Sequence, residues 1–232
     1  MFKNKTFLAI IPARGGSKRL KNKNILELNG KPLIAWSIEA GFESSYIDEV
    51  MVTTDDDKIM SIAKYYGAKV PFKRPKKLAD DIATTSDVAR HTLDFYSRKL
   101  HKIFDYLVIL QPTSPLRDGK DIDNAIRLIF KKNADAVISV CQLDHPIEWS
   151  GRLPKNKSMI KFFSKKNFKF SSQNLLKYYR LNGAIYICNV KNFLNQGSIF
   201  LRKKIYAFEM PQEKSIDIDT KTDFKLANAL IK

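Results

Sequence analysis

Apolar runs of strand length recur along most of the chain and alternate with segments of helical periodicity. A short continuous apolar run is typical of a strand buried on both faces, as in a parallel sheet. Such runs predict strands at 7–11, 49–53, 106–110, 136–141 and 184–188, with a shorter one at 69–72.

The segments between these strands carry apolar residues three and four positions apart, which places them on one face of a helix. One such stripe contains Ile122, Ala125, Ile126, Ile129 and Phe130. Another contains Ala89, Leu93, Tyr96 and Leu100, and its predicted N-cap is Ser86. Helices are also predicted at 32–42, 57–66 and 224–231. The alternation predicts a three-layer α/β fold, a mostly parallel sheet with helices on both faces.

One stretch, 144–180, breaks this alternation. Within it, lysines are interleaved with aromatic residues from Lys161 to Phe170. Alternation with a period of two is what a half-buried strand requires, so it favours an arm that packs against a second subunit. Basic residues interleaved with aromatics are also typical of surfaces that bind single-stranded nucleic acid. The sequence therefore predicts a single domain over 1–232, with a dimerisation arm inserted at 144–180.

The composition narrows the class of protein. A chain of 232 residues with 44% hydrophobic residues fits one folded domain and argues against disorder. It has no apolar run of about 18 residues and a short polar start, so neither a transmembrane helix nor a signal peptide is predicted. Cys141 and Cys188 lie inside apolar runs and are expected to be buried free thiols. These features together predict a cytoplasmic protein without membrane insertion.

The net charge of +17 makes nucleic acid a candidate partner. Only 10 of the 41 basic residues are Arg, however, and Arg recognises phosphate in a bidentate manner better than Lys does. Lysine-rich surfaces are often simply solvated. A basic nucleic-acid-binding protein therefore stays as the alternative from a different class, and no nucleic-acid partner is predicted.

The loop after the first strand carries the strongest chemical signal, Arg14-Gly15-Gly16-Ser17-Lys18. Ligands of open parallel sheets bind beyond the carboxyl ends of the strands, where this loop is expected. Its glycines let backbone N–H groups approach an anion, and Arg14 and Lys18 supply positive charge for phosphates. The segment has neither the dinucleotide-binding glycine pattern nor that of a P-loop. It predicts a phosphate site of another type.

Two carboxylates near the C-terminus are candidates for a metal site. Asp217 and Asp219 alternate with isoleucines, so an extended backbone puts both carboxylates on one face. Hard oxygen ligands beside phosphates suit Mg²⁺. The earlier run 55–57 contains three aspartates directly before a helix, where acidic residues stabilise the helix N-terminus. For that run, helix capping and metal binding both stay open.

Five motifs in the same order resemble the CMP-N-acetylneuraminate synthetases, the cytidylyltransferases that activate sialic-acid-like sugars. The motifs lie at 10–18 with 23–24 and 30–33, at 74–75 with 78–79, at 111–117, at 180 with 182–186, and at 215–219. This resemblance extends through nearly the whole chain. It implies a Rossmann-like nucleotidyltransferase fold, a homodimer and Mg²⁺ as cofactor.

The resemblance also implies the reaction. CMP passes from CTP to the anomeric hydroxyl of a nonulosonic sugar acid, and pyrophosphate is released. The expected acceptor is N-acetylneuraminate or legionaminate, because the segment 111–115 is more similar to those enzymes than to the pseudaminate enzymes. The 3-deoxy-manno-octulosonate enzymes are the runner-up, and they differ from this chain in the first loop.

By the same resemblance, each motif residue has an expected role. The nucleotide and its phosphates are expected to contact Arg14, Gly15, Ser17, Lys18, Lys23, Asn24, Arg74 and Thr85. The acceptor is expected to contact Gln111 and Arg180, and Asn182 is a further expected substrate-binding residue. The expected metal ligands are Asp217 and Asp219, and the expected catalytic residues are Arg14, Lys18, Lys23 and Asp217.

Some features lie outside the family pattern or have no assigned role. Relatives often carry Arg and Pro where this chain has Ser172 and Leu176, which bears on the geometry of the arm and on acceptor specificity. Arg117 is either part of the site or a structural clamp on the turn at Pro115. The motifs indicate no general base.

Overall fold

The structure, a computed structural model, describes residues 1–160 and 176–231. Its strands are β1 (Phe7–Pro12), β2 (Glu27–Leu28), β3 (Lys31–Pro32), β4 (Glu49–Thr53), β5 (Tyr106–Ile109), β6 (Ala136–Gln142), β7 (Tyr179–Asn189) and β8 (Ile205–Glu209). Its helices are α1 (Leu33–Glu43), α2 (Asp57–Tyr65), α3 (Thr85–Lys99), α4 (Gly119–Lys131), α5 (Val190–Gln196) and α6 (Lys221–Leu230).

Six strands form one mixed sheet in the order β4-β1-β5-β7-β6-β8. The pairs β1–β4, β1–β5 and β6–β8 are parallel, whereas β7 is antiparallel to both of its neighbours. This confirms the predicted α/β fold with a mostly parallel sheet. The strand predicted at 69–72 is wrong, because only a single bridge joins Lys69 to Met51. The elements α5 and β8 were not predicted.

The two faces of the sheet bury alternate residues of each strand, as continuous apolar strands require. From β1, Phe7, Ala9 and Ile11 pack on the face covered by α1, α2 and α4. Leu8 and Ile10 pack on the opposite face, which is covered by α3 and α5. Helices therefore cover both faces, in agreement with the predicted three layers.

The start of α3 differs from the prediction. Its N-cap is Thr84 and not Ser86. The Thr84 hydroxyl accepts from the backbone N–H of Asp87 at 3.1 Å, and the Asp87 carboxylate accepts from the backbone N–H of Thr84 at 2.9 Å. This reciprocal capping box satisfies two donors at the helix start. The Ser86 hydroxyl instead accepts from the backbone N–H of Ile199 at 3.3 Å.

The arrangement of strands determines where a site can form. Because β4, β1 and β5 are parallel, the loops that follow them meet at one edge of the sheet. Strand β7 runs in the opposite direction, so it begins at that same edge. A bulge interrupts its pairing with β6, where Ile138 pairs with Tyr186 but Val140 already pairs with Leu181. The bulge places residues 182–185 at the edge where the loops meet.

The predicted arm lies mostly outside this sheet. Between 144 and 160, the described backbone contains one short 3₁₀ turn, Ile147–Trp149. The last two residues of the predicted arm, Tyr179 and Arg180, belong to β7. The alternation of Lys and aromatics at 161–170 and the position Ser172 lie outside the described residues.

Two further observations concern the cysteines and the predicted lack of membrane insertion. Cys141 and Cys188 are buried free thiols, which confirms that prediction. Within the described ranges, no helix has both the length and the apolar character needed to cross a membrane.

Candidate active site

A cleft of about 600 Å³ lies at the carboxyl edge of β1 and β5. Its lining includes most of the residues that the sequence predicted for the site: Arg14, Ser17, Lys18, Lys23, Asn24, Arg74, Thr85, Gln111 and Asp219. Gly15 lies in the same loop. Arg180, Asn182 and Asp217 lie outside the set of described residues that line the cleft.

The loop after β1 is held in place from two sides. The backbone N–H of Gly15 donates to Asp55 Oδ1 at 3.1 Å, and Asn24, which is buried, donates to the carbonyl of Arg14 at 3.0 Å. A Cβ atom on Gly15 would lie 2.8 Å from Asp56 Oδ2, so this loop requires glycine there. The loop is thereby fixed with Arg14 beside the cleft.

The aspartate run 55–57 has a structural role. Asp56 is the N-cap of α2, and its carboxylate accepts from the backbone N–H groups of Lys58 and Ile59. Asp55 holds Gly15, and Asp57 pairs with Lys73 at 2.7 Å. Capping, one of the two functions considered for this run, is thus confirmed for Asp56. Among the described residues, no group of three or more His, Cys, Asp or Glu side chains has a metal-binding arrangement.

The cations at the mouth of the cleft are paired with acidic residues that the sequence did not single out. Arg14 Nη1 lies 2.9 Å from Asp81 Oδ1 and also donates to the carbonyl of Asp80 at 2.9 Å. Lys18 Nζ donates to the other oxygen of Asp81. The hydrogen bond from Lys18, followed by that from Arg14, lowers the pKa of Asp81. Asp81 is therefore an ionised bridge between the two cations predicted to bind phosphate.

Deeper in the cleft, Lys23 is only 13% exposed. Its Nζ donates to the carbonyl of Ile218 at 2.7 Å and to Asp219 Oδ1 at 2.8 Å. Arg19 pairs with the second carboxylate oxygen of Asp219. Lys23 thus connects the loop after β1 to residues 215–219, the carboxylate segment that contains Asp217 and Asp219.

Arg74 is a buried cation beside the cleft, with 5% exposure. Its guanidinium donates to both the hydroxyl and the carbonyl of Thr53, the last residue of β4. Burial lowers the pKa of Arg74 to about 10, and the charge of nearby Asp55 opposes that effect. The guanidinium stays charged at neutral pH and is held rigidly by the end of β4.

The carboxylate segment lies outside the helices and strands, between the 3₁₀ turn Gln212–Lys214 and α6. The backbone N–H of Ile218 donates to the carbonyl of Thr113 at 2.8 Å, and the Ile218 side chain is fully buried. Asp217 is half-buried, and burial raises its pKa, while a hydrogen bond with the Thr113 side chain opposes the shift. The charge of Asp219 also raises the pKa of Asp217, so the two carboxylates lie close enough to repel each other.

This pair of carboxylates fits a magnesium ion. Two neighbouring carboxylates that repel each other are stabilised by a divalent cation between or beside them. Mg²⁺ is usually held by one or two carboxylates together with substrate phosphates and waters, so a larger protein cluster is not required. The donor set of Asp217 and Asp219 is of this kind.

The bulge of β7 brings further predicted residues to the same place. Gly183 has a φ of +78°, and a Cβ on it would lie 3.1 Å from Gln111 Oε1 and 3.8 Å from Asp217 Oδ2. Arg180 is exposed, and its Nη2 donates to the carbonyl of Ser215 at 3.1 Å. Asn182 is 1% exposed, so its side chain lies beneath the site rather than on its surface.

Arg117, whose role the sequence left open, is a structural residue. It is 1% exposed, and its Nη2 donates to the Ser37 hydroxyl at 2.7 Å. Its Nε donates to the carbonyl of Ala184 at 3.3 Å. These bonds join α1, the loop after β5 and β7. Burial lowers the pKa of Arg117 to about 10.

The fold is similar to that of two solved structures. The chain matches CMP:2-keto-3-deoxy-manno-octonic acid synthetase complexed with CTP with a TM-score of 0.70 at 18% identity, over 97% of this chain and 98% of that chain. It matches 4-diphosphocytidyl-2C-methyl-D-erythritol synthase from Anaerococcus prevotii with a TM-score of 0.65 at 15% identity, over 97% and 95%. Identities this low establish the fold alone.

Comparison of the sequence with family models establishes the family to which the chain belongs. The cytidylyltransferase model matches residues 8–232, so the chain belongs to the cytidylyltransferase family and is a nucleotidyltransferase. This confirms the resemblance found in the motifs.

Three curated relatives are similar to nearly the whole chain. A pseudaminic acid cytidylyltransferase from Campylobacter jejuni is 35% identical over 225 residues, covering 97% of this chain and 96% of the relative. A CMP-N,N'-diacetyllegionaminic acid synthase from Legionella pneumophila is 36% identical over 227 residues, covering 97% and 95%. An N-acylneuraminate cytidylyltransferase from Escherichia coli is 38% identical over 221 residues, covering 95% of this chain and 51% of the relative. These similar identities do not rank the acceptors.

Proposed function

We propose that this enzyme transfers CMP from CTP to the anomeric hydroxyl of a nonulosonic acid. The anomeric oxygen attacks the α-phosphorus and its proton is released to solvent, while the bond between the α-phosphorus and the bridging oxygen breaks and pyrophosphate leaves with the electron pair. The single observation that carries the proposal is the cleft lined by Arg14, Lys18, Lys23 and Asp219, where the Asp219 carboxylate also lies close enough to Asp217 to raise its pKa. Cations and carboxylates gathered at one cleft suit a metal-bound triphosphate.

The residues of the cleft would act by positioning and by charge. Arg14 and Lys18 bind the polyphosphate in place of Asp81, and Arg74 binds the nucleotide from the end of β4. Lys23 holds the phosphate next to the carboxylate segment. Such fixed cations stabilise the charge that develops on the transferring phosphoryl group.

Asp217 and Asp219 are the proposed ligands of Mg²⁺. When bound, this ion neutralises phosphate charge and orients the leaving group. Lys23 and Arg19 keep the Asp219 carboxylate beside the loop after β1.

The proposed acceptor site lies around Gln111 and Arg180. Gln111 lies in the loop after β5, and both its amide oxygen and the Asp217 carboxylate border Gly183. Arg180 is exposed at the start of β7, and its planar guanidinium matches the carboxylate of a sugar acid. All three relatives are named for acidic nine-carbon sugars, which favours that class over an eight-carbon acid.

A pyrophosphate-release assay with CTP and Mg²⁺ tests the proposed function. The acceptors are N-acetylneuraminate, N,N'-diacetyllegionaminate, pseudaminate and 3-deoxy-manno-octulosonate. The sequence favours the first two, while a relative of 35% identity makes pseudaminate an equal candidate. We expect turnover with a nine-carbon acid and none with the octulosonate. Absence of turnover with every acid would contradict the proposal, and tight, salt-sensitive RNA binding would then favour the nucleic-acid alternative.

The bridge formed by Asp81 predicts an effect on CTP affinity. Asp81 holds the same cations that a triphosphate needs, so Asp81→Asn should bind CTP more tightly than the wild type. Exposed ion pairs are weak, so the expected gain is only about two- to fivefold. Isothermal titration with CTP measures it. Asp57→Asn, which breaks an exposed pair with Lys73, is the control for the change in charge. Unchanged or weaker CTP binding by Asp81→Asn would contradict this competition.

We also propose that the enzyme is a homodimer formed through the arm at 144–180 and the adjoining part of β7. Leu181 is 50% exposed, Trp149 is 44% exposed and Tyr179 is 44% exposed. Contiguous exposed apolar patches are typical of interfaces between subunits, and we propose that these side chains belong to one. The buried free thiols Cys141 and Cys188 favour a reducing compartment, and we propose the cytoplasm.

A charge placed in this surface should separate the subunits. Leu181→Arg is expected to yield monomers in multi-angle light scattering, because an unpaired guanidinium in an apolar interface is costly. Leu226→Arg on α6, where the leucine is 49% exposed, is a control of matched exposure that should stay dimeric. A Leu181→Arg protein that is still a dimer would exclude this surface as the interface.

A further inference from the structure

A chain of buried hydrogen bonds connects β6, β7 and the carboxylate segment. Its members are Ser139, Asn182 and Ser215, none of which is more than 1% exposed. Ser139 Oγ donates to Asn182 Oδ1 at 2.6 Å, and Asn182 Nδ2 donates to Ser215 Oγ at 2.9 Å. Ser215 Oγ in turn donates to the carbonyl of Pro211 at 2.7 Å. The chain of hydrogen bonds thus begins in β6, the neighbour of the edge strand β8, and ends at the carboxylate segment.

The first bonds of this chain maintain the bulge of β7. At the bulge, residues 182–185 lie opposite the single residue Ser139. Ser139 Oγ accepts from the backbone N–H of Ile185 at 2.8 Å, and Asn182 Oδ1 accepts from the backbone N–H of Ala184 at 3.2 Å. Both N–H groups lack a strand partner inside the bulge, so side chains satisfy them instead. The bulge therefore depends on Ser139 for its shape.

The bulge lies directly against the site. Gly183, between Asn182 and Ala184, has a φ of +78° and borders Gln111 Oε1 and Asp217 Oδ2. A change in the bulge would move the backbone that the Asp217 carboxylate lies against.

The hydrogen bond from Asn182 to Ser215 holds the first residue of the carboxylate segment. Ser215 stands two residues before Asp217, and its carbonyl also accepts from Arg180 at 3.1 Å. On the far side of Asp217, Ile218 is anchored by its bond to Thr113. Asp217 is therefore held between two anchors, of which the first depends on Asn182.

We propose that Ser139 is a positioning residue for Asp217, acting through Asn182 and Ser215. This inference rests on the proposed function, because it assigns Ser139 to the support of the proposed metal ligand. A fully bonded buried network fixes one geometry, and loss of one member leaves partners unsatisfied. Groups that orient a metal ligand typically change metal affinity or activity about 10- to 100-fold when they are removed.

The test compares Ser139→Ala and Ser215→Ala with Ser44→Ala. Ser44 is a matched control, since it is also buried and donates at 2.6 Å, in its case to Asp123. Hydrogen exchange should accelerate at 215–219 in the first two variants and not in the control. The dissociation constant for Mn²⁺, measured by electron paramagnetic resonance without nucleotide, should rise about 10- to 100-fold. In the assay, kcat should fall while the KM for CTP is unchanged, because the network does not contact Arg14 or Lys18.

Each outcome bears on the inference. Exchange at 215–219 and Mn²⁺ affinity that match the wild type in both variants would overturn it, as would an equal effect of Ser44→Ala. If Ser139→Ala does not fold, Ser215→Ala decides by the same measurements. Neither exchange nor Mn²⁺ binding requires turnover, so both can still succeed or fail if no sugar acid proves to be a substrate.

Discussion

Asp217→Asn is expected to lower kcat about 10²- to 10³-fold, an effect of the size seen when a group that stabilises the transition state is removed. The substitution nearly preserves shape and can keep a hydrogen bond with Thr113, so the fold should be intact. It removes one of the two negative charges proposed to hold Mg²⁺. Pyrophosphate release measures the rate, and thermal unfolding reports on the fold.

A matched substitution separates loss of the metal ligand from loss of charge. Asp57→Asn also removes one carboxylate, but Asp57 lies at the start of α2 and pairs with exposed Lys73. Its turnover should equal that of the wild type. Near wild-type rates in Asp217→Asn would remove Asp217 from the metal site.

Lys23→Met is expected to lower kcat about 100-fold, since a preorganised donor at the transferring phosphate is lost. Methionine keeps most of the length of the side chain, which is only 13% exposed. The ammonium that donates to Asp219 and to the carbonyl of Ile218 is removed, so the loop after β1 is no longer tied to the carboxylate segment. Initial rates at saturating CTP and acceptor measure the effect.

The nearby Lys21 provides the control. It is exposed and lies outside the set of described residues that line the cleft. Lys21→Met should therefore retain full activity. A Lys23→Met enzyme as fast as Lys21→Met would show that Lys23 has no part in the transfer.

Much of the fold follows from periodicity alone. The strands at β1, β4 and β5 are continuous apolar runs, and α4 carries its stripe on one buried face, so burial and pattern agree. The direction of β7 could not be predicted, because an apolar run is the same in either direction. Strand β8 was missed because it lies at the sheet edge with exposed Ile205 and Tyr206, which dilutes the apolar signal.

The candidate site was predictable where its residues belong to recognisable motifs. The loop after β1 and the pair Asp217 and Asp219 could be found in this way. Asp81 could not, since its role depends on a contact with Arg14 across 67 positions of sequence. Ser139 is a single serine in an apolar strand, and nothing in its sequence neighbourhood indicates the bulge opposite it. Such contacts join residues that are far apart in the sequence, so only the folded structure reveals them.

The bridge between Asp81, Arg14 and Lys18 also concerns the end of the catalytic cycle. A carboxylate tethered by the loop before α3 is present at a high effective concentration near its cations, whereas released pyrophosphate is diluted into solvent. In the proposed reaction, the same cations must bind pyrophosphate firmly at bond cleavage and then release it. An intramolecular anion that rebinds these cations would compete with pyrophosphate and oppose its rebinding. If Asp81 competes with phosphate as proposed, the loop that weakens the capture of CTP would also favour release of the leaving group.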